Sequence, residues 1–235
     1  MERDAFLISC EHGGKRVPPQ WRALFAPHAA LLSSHRGYDK GALRMARELA
    51  AALDAPLFAA TVSRLLIELN RSPGHPQLYS AVTRALSVAE RRDIFEHCYL
   101  PYRRAVEERI ADLVAQGRRV IHVSSHSFTP ELDGAVRNAD IGLLYDPKRH
   151  GEAALCRRWR EALGLRAPAL RVRMNYPYAG SADGFTTWLR RRFGAEQYVG
   201  IELEINQKHA SMRSGDWPAL RAAVIAALRE AGDAH

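Results

Sequence analysis

Strand-like and helix-like runs alternate along nearly the whole chain, and that alternation restricts the fold more than any single motif does. Residues 5–10, 57–62, 64–69, 120–124, 141–145, 169–174 and 198–207 are short apolar runs that read as strands. Between them, residues 21–32, 42–53, 88–115, 152–163, 185–193 and 217–231 carry the Ala, Leu, Arg and Glu content of helices. Pro101 inside the long 88–115 stretch marks a kink or a new first turn. Strands alternating with helices predict an α/β fold, a three-layer α/β/α sandwich around a mostly parallel mixed sheet. With no internal repeat and no linker, 235 residues suit one domain over 1–235.

In such sheets the ligand crevice lies beyond the carboxyl ends of the strands. His12, Asn70-Arg71, His126, Asn175 and Glu204 each fall at or near a predicted strand end. The run Ile121-His122-Val123-Ser124-Ser125-His126 reads as a buried strand ending on a histidine in a polar turn. The first strand stops at Glu11-His12-Gly13-Gly14. Two imidazoles delivered at strand ends suit a hydrolytic metal site, which needs three His or Asp/Glu ligands and one open position. The third ligand is expected to be Asp39, with Glu11 as the alternative. Neighbours on a strand point to opposite faces, so Glu11 would not easily share an ion with His12. His122 lies ~13 Å before His126 at ~3.3 Å per residue, too far to share that ion, and is read as structural.

Glu202 and Glu204 are two apart on an otherwise apolar strand and so share a face. Two inward carboxylates are costly without a cation or donors beside them. Either could serve as the base that relays a proton to a leaving nitrogen; Glu204, nearer the strand end, is the first choice and Glu202 the second. Asn70, Arg71, Arg137 and Asn175 are candidate substrate-binding residues, the arginines because a guanidinium can grip a carboxylate through two parallel hydrogen bonds.

Composition removes several other classes. The formal charge is +8, but the arginines are scattered among helices and interleaved with Glu and Ala, which does not make a nucleic-acid face. No run approaches the ~18 apolar residues of a membrane span. Three widely spaced cysteines (Cys10, Cys98, Cys156) and no apparent secretory signal fit a cytoplasmic protein. The Walker spacing, the Gly-x-Gly-x-x-Gly pattern and the Gly-x-Ser-x-Gly elbow are all missing.

Seven segments, in order, then carry a family resemblance. They are Ser9-Cys10-Glu11-His12-Gly13-Gly14, Asp39-Lys40-Gly41, Leu69-Asn70-Arg71, His126-Ser127-Phe128-Thr129-Pro130, Arg137-Asn138-Ala139-Asp140-Ile141-Gly142, Asn175-Tyr176-Pro177-Tyr178 and Gly200-Ile201-Glu202-Leu203-Glu204-Ile205-Asn206-Gln207. Together they resemble the N-formylglutamate amidohydrolase family. The resemblance implies a zinc-carboxypeptidase/phosphorylase-hydrolase-like fold and hydrolysis of the N-formyl or related N-acyl amide of an acidic amino acid, such as N-formyl-L-glutamate. It implies a divalent metal, Zn²⁺ first, on His12, His126 and an acid placed at Asp39, with a zinc-bound water activated by Glu204. By the same resemblance Asn70-Arg71 and Arg137 hold substrate carboxylates. The His-x-x-Glu pair of carboxypeptidase sites is broken here, because Lys15 stands three residues after His12. The expected partner is a small N-acyl amino acid, with neither nucleic acid nor membrane, acting on a monomer or homodimer. The alternatives are a deacylase or carboxypeptidase for another substrate, such as acyl-aspartate or a peptidoglycan fragment, and a non-catalytic binding member of the fold.

Overall fold

The structure is a computed structural model and describes residues 4–210 and 216–233. Six strands form the central sheet: β1 (Asp4–Cys10), β2 (Leu57–Ala59), β3 (Arg119–Phe128), β4 (Ile141–Leu144), β5 (Val172–Met174) and β6 (Tyr198–Asn206), in the order β2-β1-β3-β6-β4-β5. All neighbours run parallel except β4 and β6, which pair antiparallel, so the sheet is mixed and mostly parallel as predicted.

Each central strand alternates between two faces. On one face Ile8, Val123, Ile201, Leu203 and Ile205 pack against helices α1 (Ala42–Ala52), α3 (His150–Arg166) and α5 (Asp216–Asp233), with Trp159 and Leu49 fully buried among them. The opposite face meets α2 (Leu100–Ala115) and α4 (Phe185–Arg190), where Ala5, Leu7, Val120 and Tyr198 pack on Val106, Ile110, Phe185 and Leu189. A third cluster, including Trp21, Phe25, Leu66, Ile67 and Ile94, roofs the segments that lead into the site. No helix among the described residues is long and apolar enough to cross a membrane.

Several expected elements are corrected. Residues 21–32 form four short pieces rather than one helix, and Pro27 sits in the 3₁₀ turn between the two α-helical pieces. The run before Pro101 winds into a π turn, Phe95–Tyr99, and α2 restarts with the proline in its first turn. Strand β3 continues through His126 to Phe128, so this histidine lies within the strand and not in a turn after it. The segment 64–69 is no strand: Ser63 accepts from the Leu65 amide and donates to the Gly37 carbonyl, and a turn bonds the Leu66 amide to the Ser63 carbonyl. Its apolar side chains are buried by that turn, which is why the hydrophobic run imitated a strand.

Candidate metal centre and its cavity

Because β1, β3 and β6 run parallel, their carboxyl ends open on the same edge of the sheet. Register places His126 opposite Glu204 and Ser124 opposite Glu202, on the face that also carries Ser9 and His122. His12 follows β1 by two residues. Its carbonyl accepts from the Asp39 amide at 2.9 Å, which draws the loop before α1 over the histidines. That helix is entered through Gly41, at φ 88°, where a Cβ would also lie 2.7 Å from Ala210. No side chain caps that helix, and the Asp39 carboxylate turns to the two histidines.

Three ligand atoms converge. The Nδ1 atoms of His12 and His126 are 3.1 Å apart, and Oδ2 of Asp39 lies 3.3 Å from the first and 3.0 Å from the second. All three residues are buried. A tetrahedral ion with arms of about 2.0 Å separates its ligands by about 3.3 Å, so the spacing suits a small divalent cation. Each imidazole also meets a carboxylate through its other nitrogen: Nε2 of His12 contacts Glu68, and Nε2 of His126 lies 3.0 Å from Glu11. Carboxylates in that position fix the ring and its tautomer and strengthen its lone pair toward a metal. Glu11 therefore sits on the far side of the His126 ring from the convergence point, where it also accepts from Ser124 Oγ at 2.5 Å and Tyr102 Oη at 2.8 Å. Asp39, not Glu11, contributes an oxygen to the cluster.

The electrostatics follow from this packing. Burial alone would raise the Glu11 and Glu68 carboxyls, yet both are held well below the usual carboxylate range, Glu11 chiefly by His126 and Ser124 and Glu68 by Arg64 and His12. Asp39 is likewise held down against its burial by the two histidines and Arg64. Burial opposes the charging of His126, but Asp39 and Glu11 push its pKa well up. Three ionised carboxylates thus surround two imidazoles, and the pocket between them favours positive charge.

Arg64 and Glu68 escaped the sequence reading. Arg64 lies 3.2 Å from Asp39 Oδ1 and 2.6 Å from Glu68 Oε2, joining a cluster residue to the carboxylate behind His12. Read as a strand, residues 64 and 68 would be ~13 Å apart; the turn makes them partners. The available signal was two opposite charges flanking the apolar run Leu65-Leu66-Ile67.

A cavity of about 210 Å³ opens beside the cluster, lined by His12, Asp39, Arg64, Asn70, Arg71, His126, Tyr178, Asp183, Glu202 and Glu204 among others. Glu204 is buried, and its Oε2 has no hydrogen-bond partner among the described residues. Burial pushes its carboxyl up to about 8; His126 and Arg64 oppose the shift, and Asp39 and Glu202 add to it. Glu202 accepts from Thr186 Oγ1 at 2.8 Å. The Asn70 carbonyl oxygen accepts from the Phe185 amide at 2.6 Å, which leaves Nδ2 as the donor of that side chain. Behind the Asn70-Arg71 turn, Arg103 and Tyr99 donate to the carbonyls of Leu69 (2.8 Å) and Arg71 (2.6 Å). In front, Asp183 accepts from the Ser72 amide at 3.0 Å.

Two predicted site residues stand outside the lining. Arg137 donates to Tyr178 Oη at 3.1 Å and stacks on that ring, so it braces a lining residue from the rim. Asn175, at φ 48°, accepts from the amides of Tyr145 and Gly180, each at 3.0 Å, and shapes the 175–180 loop. His122 is a buried bridge between Tyr198 Oη and Ser9 Oγ, both at 2.7 Å, and burial lowers its pKa to about 4.

Residues 4–210 match the family model described as N-formylglutamate amidohydrolase. Among solved structures the chain is similar to the gene product Atu2144 of Agrobacterium tumefaciens, at 31% identity and TM-score 0.82, covering 96% of this chain and 89% of that one. It is also similar to an N-formylglutamate amidohydrolase from Ralstonia eutropha JMP134, at 20% identity and TM-score 0.65, covering 98% and 94%. A metallo-carboxypeptidase from Burkholderia cenocepacia gives 13% identity and TM-score 0.40, covering 99% and 56%. No curated protein matches. The match over residues 4–210 takes in the cluster, its supporting carboxylates and the cavity, and the chain belongs to the N-formylglutamate amidohydrolase family.

Proposed function

We propose that this protein is a metal-dependent amidohydrolase that removes an N-formyl or related N-acyl group from an amino acid. The supporting observation is the meeting of His12 Nδ1, Asp39 Oδ2 and His126 Nδ1 beside the unpartnered Oε2 of Glu204. These three atoms would hold a divalent cation, Zn²⁺ first, given a donor set of two nitrogens and one oxygen. Bound there, such an ion supplies a Lewis acid toward the acyl oxygen and eases the ionisation of water.

The chain's own residues do the rest. Asn70 Nδ2 and the Arg71 guanidinium receive the α-carboxylate and set the acyl carbon over the cluster. Glu204 takes a proton from the attacking water as its oxygen bonds to that carbon. Burial raises this carboxyl, and a cation held beside it by His12, Asp39 and His126 would lower it again, which fits Glu204 to accept the proton. The carbonyl oxygen gains negative charge, and Arg64, on the cavity wall beside Asp39, faces that charge. The carbon–nitrogen bond then breaks, and Glu204 returns the proton to the leaving amine, giving formate (or the longer acid) and the free amino acid. Tyr178, braced by Arg137, closes the mouth, and Asn175 shapes the loop that carries it.

The test is a zinc-loaded activity screen over N-formyl, N-acetyl and N-succinyl amino acids, with N-formyl-L-glutamate included because the family bears its name. The reading expects release of acid and amine from at least one series and loss of most turnover in Glu204→Gln. No hydrolysis across the panel, with metal bound, would leave a binding protein instead.

A further inference from the structure

A buried cation behind the cavity has no part in the reaction as derived above. Arg103, on α2, is only 4% exposed. Its Nη1 donates to the carbonyls of Leu69 at 2.8 Å and Arg71 at 3.5 Å, on either side of Asn70. Its guanidinium lies 3.9 Å from the centre of the Phe185 ring, with Tyr99 and Trp188 at 5.2 and 5.3 Å. Among the described residues its hydrogen-bond partners are carbonyl oxygens rather than a carboxylate, and its Nη2 has none. A cation buried without an anion is costly, and burial pulls this one's pKa below the ordinary arginine value. An apolar side chain would pack α2 at lower cost.

The two segments that Arg103 touches carry one wall of the cavity: Asn70 and Arg71 come from the first, Ala182 and Asp183 from the second. Four hydrogen bonds lace them together. The Phe185 amide donates to Asn70 Oδ1, Arg71 Nη1 to the Asp183 carbonyl, and the Ser72 amide and hydroxyl to the Asp183 carboxylate. Arg103 holds the backbone of the first segment and lies against the ring that ends the second. It therefore fixes the main chain around Asn70 and, through Phe185, the direction of the Asn70 amide. The Arg71 fork is anchored by Nη1, and its Nε and Nη2 are its other donors. The charge of Arg103 acts as well. Burial would raise the Asp183 carboxyl, but Ser72 holds it below its ordinary value, so an ionised carboxylate on this wall opposes a bound anion. A cation directly behind the Asn70-Arg71 turn, in surroundings that screen little, favours one.

We propose that Arg103 is a positioning residue for substrate binding: from behind the wall it sets Asn70 and Arg71 in the geometry that grips a carboxylate, and its charge adds to that grip. The inference rests on the reading in which these two residues receive the substrate's α-carboxylate. If Arg103 only packed α2 into the fold, its loss would weaken the enzyme toward every ligand alike. As the support of this grip, its loss is felt by the carboxylate.

The probes are N-formyl-L-glutamate, or the panel member hydrolysed best in its place, and the same compound with its α-carboxylate replaced by a carboxamide. The acid is read as substrate and the carboxamide as substrate or competitive inhibitor, on zinc-loaded wild type, Arg103→Met and Arg103→Lys, with circular dichroism recorded for each. Arg103→Met keeps an apolar stem over Phe185 and loses the charge and the donors. It should raise KM for the acid at least about tenfold, with kcat for the acid and the constant for the carboxamide each within about threefold of wild type. Arg103→Lys keeps the charge and a donor and should fall between the two proteins. If Arg103→Met does not fold, Arg103→Lys decides, and its preference for the acid over the carboxamide should drop at least about threefold. A preference left unchanged in the folded variant, or equal losses on the two compounds, overturns the proposal and leaves the amidohydrolase reading standing. Wild-type protein that hydrolyses no member of the panel sinks that reading, and this inference with it.

Discussion

At the scale of single residues, the site is two shells of charge around one point. The inner shell (His12, Asp39 and His126) was legible in the sequence because strand-end histidines and a nearby acid have few other reasons to occur together. The outer shell was not. Glu68 approaches His12 only because residues 64–69 turn rather than extend, and Glu11 was weighed as a ligand when it stands behind the His126 ring. Outer carboxylates hold imidazoles in their ligating tautomer, so Glu68→Gln and Glu11→Gln should each weaken zinc binding by roughly 10–100-fold, read by competition with a chromophoric chelator. Glu204→Gln should keep the wild-type zinc affinity within about threefold while kcat falls by at least about a hundredfold. Undiminished turnover in that variant would remove Glu204 from the chemistry.

At the scale of elements, what holds the site is close backbone contact. Gly142 on β4 lies opposite Glu204, and a Cβ there would stand 1.9 Å from the Tyr176 carbonyl oxygen, so the loop carrying Tyr178 can lie against the sheet only over a glycine. Gly142→Ala should therefore cost more than about 1–3 kcal/mol of stability in urea unfolding and raise KM as the loop is displaced. An unchanged midpoint would show that the loop yields freely. The long central strands were readable as short apolar runs, because both faces of the sheet are covered. Residues 64–69 were misread because hydrophobicity reports burial, and a buried turn made by Ser63 looks the same as a buried strand. The break at Pro27 was signalled by the residue itself.

At the scale of the whole molecule, the mixed sheet brings the ends of β1, β3 and β6 together, and long-range ties fasten the start of β4 to the segment that follows β6. Asp140, just before β4, accepts from the Arg171 amide at 2.7 Å and pairs with Lys208 at 2.6 Å and His209 at 2.7 Å. Burial would raise its carboxyl, but Lys208 and the Arg171 amide hold it below its ordinary value. A carboxyl depressed in the folded state adds stability above its unfolded pKa of about 3.9, and that stability is lost as pH falls through the folded value. The Tm gap between wild type and Asp140→Asn should be open at about pH 6 and shrink below about pH 4; a gap constant with pH would contradict this account. The claim on which the functional reading depends is that distant segments meet to hold one ion. It is tested most directly by measuring bound zinc per chain in the wild type, His12→Ala, Asp39→Ala and His126→Ala after dialysis against limiting metal. The account predicts about one ion per wild-type chain and near-complete loss in each variant, with circular dichroism unchanged. Full zinc content in folded His12→Ala or His126→Ala protein would contradict it.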